Sequence, residues 1–337
     1  MLRRAAAVET GPDTSLTERA HSFAPAPDAV QSRYFWRDEN TLLLIEHTRD
    51  RTWNISLRDR KTGLTAPLNL LTAAYQNSAA HRAMVVGSPS GTGGIDANPE
   101  RLDLPATSSI APNGTMLLWA GRDTHWYLYS LSGELKGRWP RGGDHQTSED
   151  PAWSRDSSQW VEAAEVMTNG VWRVPRLVVH DVELPGVQQV IPVSGLPDGL
   201  MLGISASGHV MLLDAPAGRS AASDHAMLLL AEWHGAATRA VGLPVALPAR
   251  CRVSEAALSP QGTRLAWVLK NGSSCGLWLS DAMGRGMKHI GSAPMVPYRD
   301  PSSRSVRYTW PVNIRWLPRG SSLSFSYRGR LWVIPAV

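Results

Sequence analysis

The segment Gly272-Ser273-Ser274-Cys275-Gly276 matches the G-x-S-x-G frame of an activated serine nucleophile. That chemistry needs the serine on a strained strand-to-helix turn above an α/β sheet. Here the frame lies between two short apolar runs, where a Gly-Ser hairpin is expected, so no nucleophile is assigned. The glycine-rich run from Gly87 to Gly94 lacks the Lys-Ser/Thr pair and the helical pattern that a phosphate loop requires. The ten histidines are scattered singly, and neither a DxDxDG-type calcium loop nor an HExxH pair occurs. No catalytic residue, metal ligand or cofactor is therefore assigned. Two stretches combine charge with aromatic or imidazole rings. One carries Arg141, Asp144 and His145 ahead of Glu149 and Asp150; the other carries Tyr298, Arg299, Arg304, Arg307, Tyr308 and Trp310. Arg, Tyr and Trp dominate interface hot spots, so these are the candidate binding residues. The competing reading of both stretches is a solvated loop with incidental charge.

The elements that must position them follow from composition and periodicity. The chain has 337 residues, 43% hydrophobic and 19% charged, as in an ordinary globular protein. Its formal net charge of +5 comes mostly from arginine. No compact basic run interleaved with aromatics appears, so specific nucleic-acid binding is not expected. No apolar stretch is long enough to span a bilayer. Met1-Leu2-Arg3-Arg4 is not followed by the apolar core of a secretory signal. The chain as written is expected in the cytoplasm, or in the periplasm or outside the cell if a leader has been removed. Cys251 and Cys275 are too few for a disulfide scaffold or a zinc site; two free thiols are expected, although one bridge is conceivable.

A repeat organises the whole chain. In Ala257-Leu258-Ser259-Pro260-Gln261-Gly262-Thr263-Arg264-Leu265-Ala266-Trp267, an apolar strand end meets a polar turn and then a second apolar strand. Pro sets the φ of the first turn position and Gly supplies the positive φ of the later one. The frame recurs behind Trp36, Ile110, Trp153, Ile204 and Trp316. A third apolar strand follows each time, as in Trp53–Leu57, Trp126–Tyr129 and Leu331–Ile334, and then a more polar fourth. The second and third strands are continuous apolar runs, which means burial on both faces. Runs of four to six residues bounded by Gly, Pro, Asn and Ser exclude helices. Sheets covered on both sides by other sheets are what radial packing produces. Ten of the fourteen tryptophans fall on these strands and are expected to fill the wedges between sheets.

The expected fold is therefore all-β: a six-bladed propeller of four-stranded antiparallel blades, with repeats starting near 34, 108, 151, 202, 256 and 314. The 74-residue gap between the first two leading residues has room for a seventh blade, but 72–106 is glycine- and serine-rich without a copy of the turn frame, and an inserted loop is the favoured reading. The last repeat stops after its third strand, so the N-terminal segment 1–28, otherwise partly disordered, is expected to supply the closing strand from around His21 to Ala26. The longest irregular segments, 72–106, 140–150, 214–225 and 292–312, all emerge on one face, where binding residues on a rigid scaffold usually sit.

The segments SPQGTRLAWV and GLWLSDAMGRGMKHI resemble the bacterial propeller repeat of TolB, shared with the propeller domains of tricorn-type and prolyl-oligopeptidase-type peptidases. The resemblance spans roughly residues 30 to 337. It implies a propeller and a binding scaffold, carries no catalytic residue, and adds that TolB-like proteins are usually exported. The expected function is a non-enzymatic, monomeric binding propeller that recruits a protein or peptide through its loop-rich face. The alternative is a lyase or hydrolase acting at the channel mouth on a carbohydrate or peptide, with His81, His145 and His225 as its loop histidines.

Overall fold

The computed structural model describes residues 15–16, 20–23, 29–48, 53–77, 108–120, 125–141, 150–168, 171–194, 200–214, 225–235, 237–272, 274–299, 306–328 and 330–336. Strand β1 (His21–Phe23) is the first of the described strands but belongs to the last sheet. The first blade is β2 (Ala29–Trp36), β3 (Thr41–Thr48), β4 (Trp53–Asp59) and β5 (Thr65–Pro67), followed by a helix, α1 (Asn69–Asn77). The second is β6 (Ser108–Ile110), β7 (Met116–Ala120), β8 (His125–Ser130) and β9 (Leu135–Pro140). The third is β10 (Ala152–Trp153), β11 (Gln159–Thr168), β12 (Val171–Asp181) and β13 (Gln188–Ser194). The fourth comprises β14 (Leu200–Ile204), β15 (His209–Asp214) and β16 (His225–Glu232); β17 (Thr238–Arg239) then pairs parallel with β13, and β18 (Val241–Ala246) completes the blade. The fifth is β19 (Arg252–Leu258), β20 (Arg264–Asn271), β21 (Ser274–Asp281) and β22 (Lys288–Pro294). A hairpin, β23 (Val296–Arg299) and β24 (Val306–Thr309), forms a sheet of its own. The sixth blade is β25 (Val312–Trp316), β26 (Ser322–Tyr327) and β27 (Arg330–Pro335), with β1 as its outer strand.

Six seams hold the ring. Along β3, Leu43 and Ile45 enter the seam with the second blade, while Leu42 and Leu44 enter the seam with the sixth. That alternation explains why the runs are apolar throughout. The other four seams are equally apolar, between blades two and three, three and four, four and five, and five and six. Of the ten tryptophans assigned to wedges, Trp36, Trp53, Trp119, Trp126, Trp160, Trp267, Trp278 and Trp316 are buried. Trp153 and Trp332 are half-buried at the edge of their seams. Each buried ring removes about 150–250 Å² from water, worth about 4–6 kcal/mol at about 25 cal/mol per Å².

Closure uses the N-terminal segment, as expected. His21, Ser22 and Phe23 pair antiparallel with Val333, Trp332 and Leu331. Upstream, Ser15 bridges to Ser292 and Leu16 is fully buried in the seam between blades five and six. Ala20 packs against the same seam, and the remainder of 1–28 lies outside the described residues.

Two segments expected to be irregular are regular in part. The insertion after the first blade begins with α1, whose Leu71 and Tyr75, one turn apart, pack between Trp53 and Trp119; residues 78–106 lie outside the described residues. Within 292–312, β23 and β24 pair antiparallel, and each carries β-branched and aromatic residues suited to a strand.

Candidate functional site

The two faces of the ring are built differently. On one face, the short turns leaving the innermost strands lock onto each other. Asn113 N–H donates to Ser157 Oγ at 3.1 Å, Ala206 N–H to the Gly262 carbonyl at 2.9 Å, and Arg319 N–H to Glu39 at 2.5 Å. Arg155 of the third blade reaches the Gln261 carbonyl of the fifth. The turn glycines supply the conformation read from the sequence: residues 114, 208, 262 and 320 have positive φ, and Ser157 takes the same place in the third blade. In the first blade the Asp38 carboxylate instead accepts from the N–H groups of Asn40 and Thr41 at 2.8 Å.

The opposite face receives the connections between second and third strands and between successive blades. It carries the hairpin β23–β24, and both feet of the hairpin are clamped. Tyr327 donates its hydroxyl to the Pro294 carbonyl at 2.8 Å, below β23. Trp310, after β24, donates Nε1–H to Ser254 Oγ at 2.9 Å, and Lys270 Nζ sits 3.4 Å from its ring centroid. Trp310 is only 4% exposed, so it is a wedge in the seam between blades five and six rather than the exposed contact expected of it. The reason is position: a wide ring at the root of β25 has the seam beside it. On the hairpin itself Tyr298 pairs with Arg307, Pro297 with Tyr308, and Arg299 with Val306. The fold thus brings four of the candidate residues onto one small element. Asp144, His145 and Arg304 lie outside the described residues.

Arg141 directly follows the outer strand of the second blade and faces inward. Its guanidinium carbon lies 5.4 Å from the Trp126 ring centroid. Burial lowers its pKa, and the charge of Glu162 opposes that shift. Glu162 is 2% exposed; it accepts from Trp126 Nε1–H at 2.6 Å and meets His180 Nε2 at 3.0 Å. The His180 ring stacks on Trp160 at 4.9 Å. At the position of Glu162 the other blades carry Leu44, Trp119, Leu212, Trp267 and Phe325. A carboxylate within the run Trp160-Val161-Glu162-Ala163-Ala164 was the sequence signal for this node.

The channel holds a second polar group. The first strands of neighbouring blades lie side by side around it, and Arg315 on β25 reaches Asp150, ahead of β10, at 3.1 Å. Tyr34 on β2 donates its hydroxyl to the Asn313 carbonyl at 2.6 Å. Burial raises the Tyr34 pKa far above its ordinary value, against the lowering effects of Ser324 and Arg315. Among the described residues no group of three His, Cys, Asp or Glu could hold a metal ion. Of the loop histidines, His225 begins β16 and is exposed, while His81 and His145 lie outside the described residues.

No protein-family model matches the sequence, and neither does any curated protein. Solved propellers do match the structure. A TolB of Agrobacterium tumefaciens is 12% identical with a TM-score of 0.45, covering 80% of this chain and 83% of that one. TolB from Acinetobacter baumannii is 13% identical with a TM-score of 0.43, covering 93% and 65%. The C-terminal WD40 domain of Sif2 is 9% identical with a TM-score of 0.47, covering 97% and 100%. The fold is a six-bladed β-propeller. At these identities the likeness bears on fold alone. No helix among the described residues is long and apolar enough to cross a membrane.

Proposed function

We propose that this chain is a binding propeller that recognises a protein or peptide partner through its loop-bearing face. The observation that supports this is the asymmetry of the ring. One face is cross-tied by its own turns, whereas the other presents a hairpin on two fixed feet. Rigid supports lower the ordering cost of an interface loop. Tyr298, Arg299, Arg307 and Tyr308 are the contact residues of this reading, together with Asp144, His145 and Arg304. Its ligand is a protein or peptide, and the chain acts as a monomer.

Capture from an extract of the source organism, followed by identification of the retained protein, tests it. Arg299→Ala with Arg307→Ala is expected to reduce retention at least tenfold without moving the melting temperature. Trp310 is unsuitable for this test because its loss would disturb the seam. Equal retention by wild type and the double variant would remove the hairpin from the interface.

A further inference from the structure

The cross-tied face carries a cleft at its outer rim, between the second blade and the third. Two turns of the third blade make one wall. The turn after β10 holds Asp156 and the turn after β12 holds Glu183; Val182 N–H donates to the Ser158 carbonyl at 2.9 Å and ties the two together. Lys136 on β9 stands on the other wall. Met116 and Val182, half-buried over the tryptophan-rich seam, form the floor. The cleft encloses about 480 Å³, within the range of about 300–1,000 Å³ common for ligand clefts. Both of its ends are tied across the blades. Towards the axis Asn113 N–H donates to Ser157 Oγ at 3.1 Å. At the rim Trp139 Nε1–H donates to the carbonyls of Asp181 and Leu184 at 3.1 and 3.2 Å. Pro185 also abuts Gly137, where a Cβ would lie 3.0 Å from it. The cleft is therefore preformed, and little ordering opposes a guest.

Its charge is one-sided. Asp156 accepts from Ser154 Oγ at 2.6 Å, from Ser158 N–H at 3.1 Å and from Ser158 Oγ at 2.8 Å, and all three bonds fall on Oδ1. They hold its pKa below the ordinary value, which keeps it a carboxylate. Its Oδ2 accepts nothing among the described residues, and the exposed Glu183 carboxylate likewise bonds to none of them. The cations nearby are engaged elsewhere. Lys136 Nζ is paired with Glu134 at 2.7 Å, and Arg155 sends its guanidinium away to the Gln261 carbonyl of the fifth blade. The rim beside the carboxylates is apolar: Leu135, next to Lys136, is 49% exposed, and Leu184, next to Glu183, is 53% exposed. A long side chain with an apolar stem and a cationic head matches this pattern. The stem lies on Met116, Val182 and Pro185, and the head makes charge-assisted bonds to Asp156 and Glu183.

We infer that this cleft is a second docking site, which takes an arginine or lysine side chain from a partner segment whose flanking apolar residues lie against Leu135 and Leu184. It sits on the face opposite the hairpin and does not depend on it.

Three probes test it: acetyl-Leu-Arg-Leu amide, acetyl-Leu-Lys-Leu amide and acetyl-Leu-Gln-Leu amide. Each is titrated into the 15N-labelled full chain while the backbone amides of Ser158 and Val182 are followed. At least one cationic peptide is expected to give saturable shifts, and the tighter of the two names the side chain. The glutamine peptide should bind about tenfold more weakly, having lost both charge-assisted bonds. Glu183→Gln should weaken the cationic peptide about threefold, as for one exposed ion pair. Adding Asp156→Asn should bring the loss to about tenfold. The Glu183 side chain bonds to no described residue, so the single variant stays informative if the double one is unstable. No saturable shift with either cationic peptide, equal binding of the glutamine peptide, or an affinity that Glu183→Gln leaves unchanged would each overturn the inference. Partner capture by the hairpin is read separately, so either idea can fail alone.

Discussion

The indole Nε1–H of Trp126 donates to the Glu162 carboxylate at 2.6 Å, joining the second blade to the third through a bond between a ring and a buried charge. Removing one member of such a node leaves the others desolvated and unmatched. Glu162→Ala is therefore expected to lower the unfolding free energy by about 3–5 kcal/mol in urea titration. Glu162→Gln, which keeps one acceptor, should cost less. A loss below about 1 kcal/mol for the alanine variant would mean that the node contributes little.

Gly262 and Gly286 separate backbone strain from crowding. Their φ values are nearly equal, 66° and 64°. A Cβ on Gly262 would lie 2.4 Å from the Ala206 nitrogen, whereas one on Gly286 would meet nothing within 4 Å. Gly286→Ala should cost about 1–2 kcal/mol, the left-handed penalty alone. Gly262→Ala should cost clearly more, because the turn of the fourth blade must move. Equal losses in urea would show that the contact between turns yields freely.

Cys251 and Cys275 are free and lie in different seams, on opposite faces of the fifth blade. Burial raises the Cys275 pKa to about 12 and that of Cys251 above its ordinary value. A thiol whose folded pKa is raised stabilises the native state fully below its unfolded pKa of about 8.5. That contribution is lost as pH climbs from there towards the folded value. Native protein should thus resist thiol reagents near neutral pH and lose stability in alkali. Cys275→Ala should flatten the alkaline slope of the urea midpoint; an unchanged slope would assign the loss to other groups such as Tyr34.

Leu16 and β1 make closure measurable. Leu16→Ala should cost about 2–5 kcal/mol, as for other buried leucines. Deleting residues 1–28 removes β1 as well and should lower the melting temperature by at least about 5 °C. An unaltered melting curve would mean that the sixth blade stands without its outer strand.

Much of this architecture was legible because each blade repeats one local rule. Leu42 to Ile45 reads as doubly buried from its apolar run, and Gly262 announces its turn. The helix α1 was less visible, since only Leu71 and Tyr75 mark its inner side and a nine-residue helix has few periods to display. Trp310 misled for the opposite reason: its type fits an interface and a seam equally, and only the neighbouring Ser254 and Lys270 decide between them. Glu162 is a charge inside an apolar run that the sequence reading left unassigned; its Trp126 partner comes from another blade and its His180 partner from the next strand. Arg315 and Asp150, 165 residues apart, meet only because the ring curves back on itself.

Pairing His21 with Val333 also orders events during synthesis. Strand β1 must wait, without its mate, until β27 has left the ribosome. Five blades can assemble as they emerge, while the sixth depends on a contact of the greatest sequence separation, the kind that forms slowly. A stalled or clipped chain would expose the open side of β27, giving proteases and chaperones a means of telling finished molecules from unfinished ones.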